Sequence, residues 1–128
     1  MLVYGDDEKI KTEMLAIFDL LNGKTSTSLY KNYIKFFKYV EYYHENEENI
    51  LEIIMTERRG DKSTFTKHIQ AALRINELLN CCPPGSYTEF DKISISYFRK
   101  IGFEHWNLVR GELGLKKHES NDWNKQLD

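Results

Sequence analysis

Residues 63–80 read STFTKHIQAALRINELLN. Phe65, Ile69, Ala72, Leu73, Asn76 and Leu79 recur at the 3.6-residue period, which predicts a helix with one apolar stripe. Lys67, Gln70, Arg74 and Glu77 fall between them and are expected to face water. Pro83-Pro84-Gly85 follows and stops the helix, because proline lacks the amide hydrogen and clashes with the preceding turn.

The same period extends outward. Ile10, Met14, Ile17, Phe18 and Leu21 predict a helix over 7–21, with Asp6, Asp7 and Glu8 at the positive end of its dipole. Gly23 offers an end to it, and residues 25–28 offer several N-caps for the next helix. That helix is predicted over 29–44. Leu29, Tyr33, Phe36, Phe37, Val40 and Tyr43 form its apolar side, and Lys31, Lys35, Lys38 and Tyr42 follow another side. The second set reads as a solvated face or as a basic stripe ending in an aromatic ring.

Residues 46–59 are ambiguous. The cluster Ile50, Leu51, Ile53, Ile54, Met55 fits a short strand over 50–56 by its β-branched content. Glu48, Glu52 and Arg59 fit a helix, which is slightly favoured. The fold class is thus mainly α: a small multi-helix domain spanning 1–118. It divides into a helical body (1–82) and a C-terminal module (86–118), with 119–128 as a polar tail in which Trp123 offers an anchor.

The 128 residues suit one domain. No apolar run approaches the roughly 18 residues of a membrane span. The first residues are acidic where a signal peptide is basic, so a cytoplasmic protein is expected. Cys81 and Cys82 are adjacent and are the only thiols, which excludes a disulfide framework and a cysteine-rich zinc site.

Charge is unevenly distributed. Residues 1–57 carry 6 Lys/Arg against 11 Asp/Glu, whereas 58–87 carry 5 against 2 and 88–118 carry 6 against 4. Contacts with an anionic partner are therefore expected in the second half.

Chemical motifs are sparse. Gly23-Lys24-Thr25 has the ending of a phosphate-binding loop, but Phe18 stands where its first glycine belongs, and a helix precedes it rather than a strand. His44, His68, His105 and His118 make no metal-binding spacing and read as partly exposed helical residues. No nucleophile stands with its base. No catalytic residue, metal or cofactor is therefore assigned, and a non-enzymatic chain is expected.

The module carries the functional signal. A short helix is predicted to run to Ile101, Gly102 to turn, and a second helix to span 103–113 with Gly114 closing it. Trp106, Val109 and Leu113 share one arc and are expected to pack inward with Phe98, Ile101 and Leu115. Glu104, Asn107 and Gly111 take the opposite side, with Arg110 on a flank. The elements Phe90-Asp91, 98–102 (FRKIG), Trp106-Asn107 and 113–115 (LGL) resemble the small helix-turn-helix repeat associated with homing endonucleases. The resemblance covers about 30 residues and implies DNA binding without cleavage. Phe103 and Glu104-His105 lengthen the turn usual in that repeat.

The expectation is a small regulatory protein that reads the major groove of double-stranded DNA with the 103–113 helix. Asn107 and Arg110 would meet base edges, and Arg99, Lys100, Lys116 and Lys117 phosphates. A homodimer is expected, because the aromatic helix over 29–44 holds more apolar bulk than one small layer covers, and paired readers span adjacent half-sites. The alternative is a protein-interaction adaptor or inhibitor using the acidic first half and the tyrosines Tyr30, Tyr39 and Tyr42.

Overall fold

A computed structural model describes residues 7–23, 30–81 and 95–127. It contains α1 (Asp7–Asn22), α2 (Tyr30–Glu45), α3 (Ile50–Glu57), α4 (Lys62–Cys81), α5 (Ile95–Lys100), α6 (Phe103–Glu112) and α7 (Trp123–Gln126). The described residues form no strand, so the architecture is a small all-helical domain. The strand considered for 50–56 is a helix. Asn49 caps it, its side-chain oxygen accepting from the amides of Leu51 (3.0 Å) and Glu52 (3.4 Å). That local cap outweighs the β-branched content of so short a run. The Pro83-Pro84-Gly85 stop, Cys82 and the Phe90-Asp91 element lie outside the described residues.

Helix α4 is the axis of the molecule, packing on α1, α2, α3, α5 and α7. Its expected stripe is buried: Phe65, Ile69, Ala72 and Leu73 all lie in the core. Phe18 of α1 meets the Phe65 ring edge-on at 5.0 Å, and Phe36 of α2 lies 5.8 Å from Phe18. Tyr33, Val40 and Tyr43 complete the inward face of α2, with Phe37 partly buried, while Lys31, Lys35 and Lys38 are exposed. The lysine row is thus exposed, and Tyr42 at its end is half-buried.

Two expectations about α4 are corrected. Arg74 is buried and Glu77 half-buried, because the C-terminal module covers the side of α4 expected to face water. His68, expected to be partly exposed, is only 1% exposed. It lies between Tyr33 Oη (3.0 Å from Nδ1) and Asn22 Oδ1 (3.2 Å from Nε2). The neutral tautomer with hydrogen on Nε2 satisfies both partners. Tyr30 is also buried, its ring edge-on to Phe98 at 5.9 Å, and so ties α2 to α5.

The chain after α6 returns to the body. Trp123 is buried, Gln70 Nε2 donates to the Asn121 carbonyl (3.3 Å), and His44 Nδ1 lies 3.0 Å from Asn124 Oδ1. The segment read as a tail therefore docks through the tryptophan singled out as its anchor.

Candidate functional site

The turn between α5 and α6 is built from below by Arg74. Its Nη1 donates to the carbonyls of Phe98 (3.0 Å) and Ile101 (2.7 Å). These are C-terminal carbonyls that a helix cannot satisfy internally. The guanidinium also sits 5.7 Å from the Trp106 ring centroid, a cation–π contact. Burial lowers the Arg74 pKa to about 10, which still leaves it cationic at neutral pH.

Glu77, one turn further along α4, fixes α6. Its Oε1 accepts from Trp106 Nε1 at 3.0 Å, and its carboxylate pairs with Arg110 and lies 3.4 Å from His118 Nε2. Burial lowers the pKa of His118, with Arg110 and Arg74 adding to the effect. Phe98 and Trp106 are buried as expected, whereas Val109, Leu113, Ile101 and Leu115 are only partly covered.

The two side chains expected to read bases are engaged inside the molecule. Arg110 is not on an outer flank. It lies one turn beyond Trp106 on the same face, is 8% exposed, and donates from Nε (2.9 Å) and Nη2 (2.6 Å) to the Lys116 carbonyl. Asn107 donates from Nδ2 to the His118 carbonyl (3.0 Å) and accepts from the His118 amide (2.9 Å). Together they strap residues 116–118 onto α6. The outward residues of α6 include Glu104, His105, Leu108 and Glu112, a surface without lysine or arginine.

The four remaining cations of the expected set divide. Lys116 and Lys117 are exposed on the strap, beside Lys125. Arg99 and Lys100 line a cleft of about 650 Å³ between α4 and the α5–α6 turn. Lys62, Ser63, Thr66, Lys67 and Gln70 of α4 form one wall; Ile101, Gly102 and Phe103 form the other. Asp61 is the acidic residue of its lining. Lys62, Lys67 and Lys100 are exposed and have no ion-pair partner among the described residues. Sequence reasoning missed Lys62 and Lys67 as site residues. They lie over 30 positions before Arg99, and only the positive charge of 58–87 marked them.

A second groove lies between α1 and α2, with Ile10, Ile17, Tyr39 and Tyr42 among acidic and basic residues. Tyr39 Oη donates to Glu13 at 3.0 Å, and Tyr42 Oη to Asp7 at 3.5 Å. No group of three or more metal-ligating side chains occurs among the described residues. None of their helices is long and apolar enough to cross a membrane.

No protein-family model matches this chain, and no curated protein or solved structure matches it either.

Proposed function

We propose that this chain is a small DNA-binding protein that grips the phosphate backbone along the α4–α5 cleft. One observation carries the reading. Lys62 and Lys67 of α4 and Arg99 and Lys100 of α5 come together from distant parts of the sequence around one acid, Asp61. Cations without carboxylate partners are what phosphate neutralisation requires. Lys116 and Lys117 add exposed cations on the strap, in a separate groove. The order α5, Gly102, α6 and the helix-turn-helix resemblance of 87–115 point to the same partner.

The binding mode differs from groove reading by α6. Asn107 and Arg110 already hold the 116–118 strap, and Glu104 and Glu112 would approach phosphates unfavourably. Backbone contacts position a protein but carry little sequence information, so binding with weak base preference is expected.

Titration of the protein into mixed duplex fragments across a salt series tests this. Four neutralised phosphates give a slope of log K against log salt of about −3.6, and each of Lys67→Ala and Lys100→Ala makes the slope shallower by about 1. Absence of binding at low salt overturns the reading.

A further inference from the structure

We infer that the α4–α5–α6 cleft is a seat for a single nucleotide unit, a nucleoside monophosphate or the phosphorylated end of a strand. This goes beyond the duplex reading, which uses only the cations of the cleft and neither Phe103 nor Gln70 and Asn121. The cleft is open to solvent, and its volume of about 650 Å³ has room for one nucleotide.

The lining supplies what a nucleotide needs in two zones. The first is anionic recognition. Lys67, Arg99 and Lys100 line the cleft. Arg99 is half-buried and has no carboxylate partner among the described residues. A guanidinium without a carboxylate gains from an oxyanion placed beside it. Gly102 caps α6 without a side-chain hydrogen bond, and the first intrahelical bond runs from the Trp106 amide to the Gly102 carbonyl at 2.9 Å. The amides of the first turn therefore remain as donors beside those cations.

The second zone suits a base. Phe103, the first residue of α6, is half-buried and lines the same wall, and aromatic side chains stack on bases of any identity. Gln70 and Asn121 line the same cleft; Gln70 Nε2 donates to the Asn121 carbonyl, which leaves the Gln70 oxygen and the Asn121 side-chain amide for a base edge. Phosphate donors, an aromatic wall and amide edges in one recess match a nucleotide better than phosphate alone.

Amide chemical shifts of the full chain, followed during titration with 5′-AMP, adenosine and inorganic phosphate separately, test the inference. The expected result is a saturating shift centred on residues 99–106 with 5′-AMP. Adenosine and inorganic phosphate should each bind at least tenfold more weakly. Lys67→Gln, an exposed change, should weaken 5′-AMP at least fivefold, and Lys38→Gln on α2 should leave it unchanged. No saturable shift at 99–106 overturns the inference, as do equal affinities for 5′-AMP and inorganic phosphate. Duplex binding that persists without 5′-AMP binding removes the nucleotide seat and keeps the DNA-binding reading. The reverse result keeps the seat and removes duplex binding.

Discussion

At the scale of single residues, polar side chains buried under the module decide more than the exposed ones. Arg110 joins Glu77 to the Lys116 carbonyl, so Arg110→Ala removes the cationic partner of a half-buried carboxylate and releases the Lys116 end of the strap. Breaking one partner of such a pair costs about 3 kcal/mol, which urea melts will show as a lower midpoint with an unchanged m-value. A melt within about 0.5 kcal/mol of wild type would mean that the pair carries no stability. His68 makes a second prediction. Burial, with Arg99 adding to it, lowers its pKa from 6.5 to about 4. The unfolded chain binds that proton first, so stability is full above pH 6.5 and falls as pH drops toward 4. At 1.36 kcal/mol per unit, the loss is about 3 kcal/mol, and His118 acts in the same direction. Melts between pH 7 and pH 4.5 will show the fall, and His68→Gln will flatten it. An equal slope in that variant would assign the titration elsewhere.

At the scale of elements, helix ends separate glycine positions that matter. Helix α6 closes with Gly114 at φ +78°. The Leu115 amide returns to the Arg110 carbonyl (2.8 Å) and the Gly114 amide to Gly111 (3.1 Å), the paired bonds of a Schellman end. Helix α2 ends in the same 6→1 fashion, from the Glu48 amide to the Tyr43 carbonyl at 2.8 Å, but Glu47 occupies the left-handed position at φ 58°. Glu47→Gly therefore removes backbone strain and should raise stability by about 1 kcal/mol, read from the thermal midpoint. A fall in midpoint would show that the Glu47 side chain matters more than its backbone. Gly60 acts oppositely. A Cβ there would stand 2.6 Å from Cε1 of the buried Phe65 ring. Gly60→Ala should cost about 1–3 kcal/mol, the usual range for overpacking, with no change in helix content by circular dichroism.

At the scale of the whole molecule, α4 is covered on most sides by other helices. The dimer expectation rested on surplus apolar bulk in the aromatic helix. Among the described residues Tyr33, Phe36, Val40 and Tyr43 of α2 are buried, and the large exposed apolar residues are Leu20, Met55, Tyr97 and Leu108, spread over four other helices. Scattered single residues of this kind are ordinary on a monomer. Light scattering of the free protein should therefore read 15.2 kDa across a concentration series. A rise toward twice that mass would show that a second copy covers one of these residues.

The helical body was legible in the sequence because its apolar residues keep one period. Predicted spans of 7–21, 29–44 and 63–80 match α1, α2 and α4 to within one residue at each end. Glycine and caps placed the ends of α6, and Trp106 declared itself by size and arc. Burial of Arg74, Glu77, His68 and Arg110 was not legible. A polar residue on a helix reads as exposed until another element covers it, and α4 is covered by a module more than ten residues further along the chain. The cleft belongs to that same class of feature. Lys62, Lys67, Arg99 and Lys100 are two separated charge pairs in sequence and one surface only after α5 packs on α4. Periodicity sets which side of a helix is apolar; tertiary packing decides which polar side chains are buried as struts and which cations are left without a carboxylate.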